Sequence, residues 1–196
     1  MEFSEVVRKR KMIRNYLDKP VDPDALERVL DAARRAPSAG NSQGQYLVVV
    51  TEGATRKAIA ELGEEAHYVA AGMPPWMSTA PVHVVVCVRE NDYHERYREP
   101  DKLADGDEMD WPVPYWWVDA GATLMLVLLA SVNEGLSAGV FGSHRLDGLK
   151  ELLRIPDDVS PVGIVTIGHA ASTATTGSAK RGRKALDRVV HRERWT

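Results

Sequence analysis

A mixed helix–strand domain, of the α/β or α+β class, is what this sequence predicts, and three observations predict it. The runs 46–51 (YLVVVT), 82–88 (VHVVVCV) and 162–167 (VGIVTI) are apolar and β-branched nearly throughout, as buried strands are. Between them apolar residues recur at helical spacing, so strands and helices alternate. No internal repeat divides the 196 residues, a length that suits one domain, with or without an excursion.

The elements follow in order. Ser4 precedes a short helical stretch that runs into a basic cluster, Arg8, Lys9, Arg10, Lys11 and Arg14. Asp22 and Pro23 are an N-cap and a first helical residue, and Ala25, Leu26, Val29, Leu30 and Ala33 give residues 23–35 one apolar face. Pro37 ends that helix, and Ser38-Ala39-Gly40-Asn41-Ser42-Gln43-Gly44 is a polar turn before the first strand. Residues 55–70 read as a helix and 73–81, with three prolines, as a loop. The unbroken apolar character of 82–88 suggests a sheet covered on both faces, with His83 and Cys87 as core residues. Residues 90–114 read as a long acidic loop, a length that often marks a lid. The helix 116–134 is apolar on nearly every side, which fits a core or a subunit interface. A short strand (138–141), a helix (146–154) and the strand 162–167 complete the body. From Ala170 onward the chain is polar and reads as an arm that does not pack alone.

Composition narrows the function. With 44% hydrophobic and 27% charged residues the chain is ordinary globular material. A net charge of −3 argues against general attraction to nucleic acid. The single cysteine forbids an internal disulfide and points to a reducing compartment, so a cytoplasmic protein is expected. The longest apolar run, 120–132, falls short of the ~20 residues of a membrane span. The six histidines show no helical pairing and Cys87 has no partner thiol, so no metal site is expected. Ala36-Pro37-Ser38-Ala39-Gly40 nearly matches a nucleophile elbow, but a helix precedes it and a strand follows, the reverse of what an elbow needs. Residues 177–184 resemble a phosphate loop only loosely, with the lysine displaced and no preceding strand.

What remains is two terminal basic clusters (the second being Lys180, Arg181, Arg183 and Lys184), the polar turn at 38–44, and a Gly139-Val140-Phe141-Gly142 turn. Each basic run alone is compatible with a solvated face. Together with the turns they suit a flat, polar-edged, phosphorylated ligand such as FMN. Its dianionic phosphate wants arginine and lysine. Its pyrimidine edge wants amide and hydroxyl partners of the kind that Ser38, Asn41 and Gln43 carry, and a cation such as Arg14 stabilises the charge that reduction places near N1 and C2=O. A flavin brings its own redox chemistry, which accounts for the absence of any acid–base or nucleophile constellation.

On these residues the sequence resembles the FMN-dependent nitroreductases from end to end. The family's N-terminal phosphate motif corresponds to Arg10-Lys11-Met12-Ile13-Arg14, followed by Tyr16, and its A-P-S-S-x-N-x-Q segment to Ala36–Gln43. Asp119-Ala120-Gly121-Ala122 opens the long helix, Gly139–Gly142 matches the segment near the ring, and Arg181-Gly182-Arg183 resembles the C-terminal phosphate motif. Met12 and Ala39 replace two serines of the pattern, and Gly44-Gln45 replaces a frequent Pro-Trp. The resemblance implies an α+β fold with a central, mainly antiparallel sheet flanked by helices, in an intertwined homodimer with exchanged C-terminal arms (170–196). It implies FMN held by Arg10, Lys11, Met12, Arg14, Pro37, Ser38, Ala39, Asn41, Gln43, Gly139, Val140, Phe141, Gly142, Arg181 and Arg183, with no catalytic side chain beyond the electrostatic support of Arg14. The chemistry implied is hydride transfer from NADH or NADPH through flavin N5 to a nitroaromatic, quinone or similar acceptor, in ping-pong fashion. Trp76, Trp111 and Tyr115 are candidates to stack on that acceptor, while Trp116 and Trp117 read at least equally well as core or interface. The alternatives are a protein that stores FMN or sequesters a ligand without turnover, or another flavin reaction such as dehalogenation or azoline oxidation.

Overall fold

A computed structural model describes residues 1–142, 146–172 and 181–195. Its centre is a four-stranded sheet in the order β1 (Gln45–Val50), β2 (Val82–Arg89), β4 (Val159–Gly168), β3 (Ser137–Gly142). Every pairing is antiparallel, and with helices on both sides the fold is α+β.

The alternation of β2 explains its continuous apolar run. Val82, Val84, Val86 and Val88 face one core, shared with α2 (Pro23–Ala33) and α7 (Tyr115–Asn133). Val85 and Cys87 face a second core, shared with α3 (Gly53–Leu62), α5 (Trp76–Thr79) and α8 (Leu149–Leu153). Because side chains alternate, one strand of valines serves both layers. Asp22 caps α2 by accepting from Asp24 N, with Pro23 at the first position, as the sequence predicts.

Several boundaries differ from the sequence reading. The single helix expected over 55–70 is two, α3 and α4 (Glu65–Ala70), broken where Glu64 turns left-handed at φ 53°. Gly63 has its place there because a Cβ would fall 2.8 Å from the Met77 sulfur. The loop expected over 73–81 holds α5, whose first N–H groups, from Met77 and Ser78, donate to the buried Glu65 carboxylate. The acidic 90–114 segment opens with a helix, α6 (Asn91–Tyr97), whose Tyr93 is wholly buried. The short helix expected near Ser4 is present as α1 (Phe3–Lys9), and its last turn already carries Arg8 and Lys9 of the basic cluster.

By length and composition α7 is apolar enough to cross a membrane, more so than the run 120–132 suggests. Here it lies across the sheet and α2, with eight residues buried, among them Trp116, Val127 and Leu128. Its opposite side leaves Tyr115, Trp117, Val118 and Met125 about half exposed. On the sheet, β1 is an edge strand, and Tyr46 and Val49 stand exposed along it. Beyond β4 the described part of the arm, 181–195, carries only a short 3-10 turn (Leu186–Arg188) and is exposed, with Leu186 and Trp195 standing open to solvent.

His83 sits in β2 at zero exposure, its Nε2 2.7 Å from the Met77 carbonyl. Burial pushes its pKa down to about 4, so it folds neutral. The unfolded chain takes up this proton below about pH 6.5, which means that the stability is complete above that pH and drains away as pH falls towards 4. Between pH 7 and pH 5 the loss from this one group is about 2 kcal/mol. A His83→Gln variant keeps a donor for Met77 and does not titrate, so its urea midpoint should fall less between pH 7 and pH 5 than the wild type's. Equal falls in the two proteins would contradict this account.

Candidate functional site

Two motif-bearing segments, 10–14 and 139–142, meet at the β3 edge of the sheet, joined by the start of the arm. The chain from Arg10 to Leu17 runs extended beside β3: Met12 bridges Ala138, and Ile13 N donates to Ala138 O at 2.9 Å. Further on, Leu17 N donates to His169 O and Ala171 N to Asn15 O, which binds the start of the arm to the same segment. The approach is so close that a Cβ on Gly139 would fall 2.2 Å from the Ile13 carbonyl oxygen. Only glycine fits there. Underneath, the buried Tyr16 hydroxyl lies 2.8 Å from Thr166 Oγ1, 3.1 Å from Thr166 O and 3.0 Å from Ile13 O. Burial raises the Tyr16 phenol well above its ordinary range, so it remains a neutral donor.

Along this seam Ile13 points into the core while Met12 and Arg14 are exposed and Arg10 is half-buried. The Arg14 guanidinium lies 5.4 Å from the Trp76 ring centroid, a cation–π contact. Residues Gly139–Gly142, expected as a turn, are the second half of β3. Phe141 turns into the core against Trp76 and His83, which leaves the backbone of 140–142 as that strand's offering to a ligand.

The polar turn lies elsewhere. Residues 39–41 form a 3-10 turn in which Gly40, Asn41 and then Gln43 take left-handed backbone, at φ 60°, 58° and 53°. Non-glycine residues in that region are uncommon and cluster at functional sites. Ser38 Oγ accepts from Gln43 N, Gln45 Nε2 donates to Pro37 O, and Ala39 N donates to Asp119 Oδ2 at 2.9 Å. Asn41 and Gln43 are exposed. Asp119 is the functional residue whose use the sequence reading missed; its signal was a lone carboxylate on an otherwise apolar helix.

The register shows how far apart the two groups stand. Gly139, Thr166, His83 and Val50 form one row across the sheet, and Gln45 lies five residues along β1 from that row's end. With strands ~4.8 Å apart and ~3.3 Å per residue, Gly139 and Gln45 are about 22 Å apart, at opposite corners. One protomer does not bring its own turn to its own β3.

The stacking candidates divide. Trp76 is only 2% exposed and packs edge-on against Phe141, a core position. Trp111 is part-buried in an aromatic cluster with Tyr97 at 4.6 Å, Trp116 at 5.6 Å and Tyr115 at 6.4 Å, and Tyr115 is the exposed member. Glu108 organises this cluster: it accepts from Trp111 Nε1 at 2.8 Å, pairs with Arg98 at 2.9 Å, and bonds His94, whose pKa it raises. Arg181 and Arg183 lie on the exposed arm, and residues 143–145 and 173–180 fall outside the described residues, Lys180 of the second basic cluster among them.

A family model described as "Nitroreductase family" matches residues 7–169. The chain belongs to the nitroreductase family. It is 32% identical over 192 residues to an FMN reductase [NAD(P)H] of Bacillus subtilis, covering 93% of this chain and 70% of that one. It is 28% identical to a putative NADH dehydrogenase/NAD(P)H nitroreductase of Methanothermobacter thermautotrophicus, over 100% of this chain and 88% of the other. Among solved structures, a nitroreductase family protein from Clostridium difficile superposes with a TM-score of 0.69 at 25% identity over the whole of both chains.

The donor set at the seam and the turn fits the FMN that this family membership suggests. The seam offers Arg10 and Arg14 beside a strand stripped of its Cβ at Gly139, and the turn offers exposed amides on a stiffened backbone. Gly139→Ala should therefore cost about 1–3 kcal/mol in denaturant unfolding, since Ile13 O is backbone and has to move. The same variant should weaken FMN binding, because Arg10 and Arg14 ride on the displaced segment. Gly163→Ala, which meets the Leu124 side chain at 3.2 Å, should be milder on both counts.

Proposed function

We propose that this chain is an NAD(P)H-dependent flavin oxidoreductase of the nitroreductase type that builds each FMN site from two copies of itself. The observation that carries the reading is the separation of the motifs: the seam at β3 and the turn at 38–44 occupy opposite corners of one sheet. A second copy placing its turn over the first copy's seam lets Ser38, Asn41 and Gln43 face the ring whose phosphate Arg10, Arg14, Arg181 and Arg183 hold. The half-exposed side of α7 and the arm, whose described residues 181–195 are almost all exposed, supply the apolar and the wrapping contacts of such a dimer.

Bound FMN supplies hydride transfer at N5, taken from NADH or NADPH and given to an electron-poor acceptor such as a nitroaromatic or a quinone. The chain's own part is electrostatic and positional. Arg14 carries a fixed positive charge that favours negative charge on the reduced ring. The turn's left-handed backbone holds its polar groups without reorganisation, and Trp111 and Tyr115 present aromatic surface beside it. Among the described residues no side chain is placed to act as nucleophile or general acid, which suits a site where donor and acceptor use one open face in turn. The single free cysteine and the nicotinamide donor favour a cytoplasmic setting.

Removing Arg10 or Arg183 as alanine should raise the FMN dissociation constant about 10- to 100-fold, the range of a charge-assisted contact. An unchanged constant in both variants would sink the phosphate assignment. Initial rates of NADH or NADPH oxidation with nitrofurazone or menadione should give parallel double-reciprocal lines; absence of turnover in the flavin-loaded protein would favour a storage role instead. Light scattering should find the mass of a dimer, and a crystal structure of it should show an interface burying more than ~2,000 Å². A stable flavin-loaded monomer is the result that contradicts the two-copy site.

A further inference from the structure

We infer that Arg96, on α6, is a positioning residue that fixes the 38–44 turn and thereby the groups it turns toward the flavin; the inference rests on the flavin reading above. Arg96 Nε donates to the Gly40 carbonyl at 2.9 Å. Its two terminal nitrogens donate to the two carboxylate oxygens of Asp101, each at 2.7 Å, and Nη1 also reaches Glu99 at 2.9 Å. One planar fork thus ties the turn to the acidic segment that follows α6. The same pairing holds the Asp101 carboxyl at about 2, so the tie stays charged at any working pH.

The rest of α6 shapes the seat for this contact. A Cβ on Gly40 would fall 2.7 Å from the Tyr97 ring, and one on Gly44 would fall 2.6 Å from the Tyr93 ring. Arg89 N donates to Gly44 O at 2.9 Å, while Asp119 takes Ala39 N on the far side. Those contacts fix the two ends of the turn. Between them the Gly40–Asn41 peptide, flanked by left-handed residues at φ 60° and 58°, has its carbonyl held by Arg96. The N–H of the same peptide donates to Ser38 O at 2.9 Å, so the guanidinium and that bond together fix the peptide plane and hence the direction in which the exposed Asn41 amide points. A lysine has one ammonium and no fork, and it cannot hold Gly40 O and both Asp101 oxygens together.

The test compares wild type, Arg96→Ala and Arg96→Lys as full-length protein, by hydrogen–deuterium exchange without flavin and by visible circular dichroism and FMN affinity with it. Both variants should speed exchange over residues 38–44 about tenfold, with the sheet as protected as in wild type. The visible dichroism of bound FMN should change in both, and its dissociation constant should rise about tenfold. Wild-type exchange, dichroism and affinity in Arg96→Ala would overturn the inference, as would an exchange increase spread evenly over the sheet. Should the alanine variant fail to fold, Arg96→Lys decides: full retention of wild-type exchange and dichroism overturns it. Failure of the wild type to bind FMN would sink the flavin reading instead, and the exchange data would still decide whether Arg96 places the turn.

Discussion

The structure turns on a backbone-to-backbone contact, the carbonyl of Ile13 lying where the side chain of residue 139 would otherwise be. With that space open, Met12 and Ile13 lie against β3 and residues 15–17 against 169–171, so that Ile13 and Tyr16 are buried while Arg10, Met12 and Arg14 stay on the outer side. Tyr16 and Thr166 lock the arrangement from below with buried hydrogen bonds, which are strong because no water competes there. The placement of the basic residues is therefore set by a glycine and a tyrosine that never need to touch the ligand.

At the opposite corner the logic is different. The turn rests on the first core only at Ala39 and at Gly44, which meets the buried Tyr93, and is otherwise held from its flanks by Asp119 on α7 and by Arg96 and Tyr97 on α6. Its backbone groups are spent on Asp119, Arg96 and Arg89 and on bonds within the turn itself, so the side chains of Asn41 and Gln43 are what it presents outward. The acidic excursion around 99–110 is likewise knitted through Arg96 and Glu108 rather than through apolar burial.

How much of this the sequence reveals depends on the length scale of the signal. The strands, α2 and α7 are legible because apolar period and capping are local: Asp22-Pro23 announces α2, and the valines of 82–88 announce a strand buried on both faces. The α6 helix is hidden because its inward face is built from Tyr93, His94 and Tyr97 among acids, which reads as a loop by composition. The break at Glu64 is hidden because a left-handed glutamate leaves no mark in the pattern. The site motifs are visible as residue types, but their separation across the sheet follows from strand order and register, which local sequence does not encode. Trp76 shows the same limit: an aromatic beside prolines looks available until the packing closes over it.

The open edge of β1 has a bearing on how the protein is made. A lone copy carries there a row of unpaired backbone donors and acceptors, flanked by Tyr46 and Val49, and nothing among the described residues covers it. Such an edge accepts any extended strand that reaches it, its own arm or a stranger's. In the proposed two-copy protein every newly made molecule would pass through an interval in which productive pairing competes with aggregation, an outcome set by concentration and rate as well as by native stability. Yield on overproduction would then be governed by that race, which slow synthesis eases by keeping the concentration of open edges low.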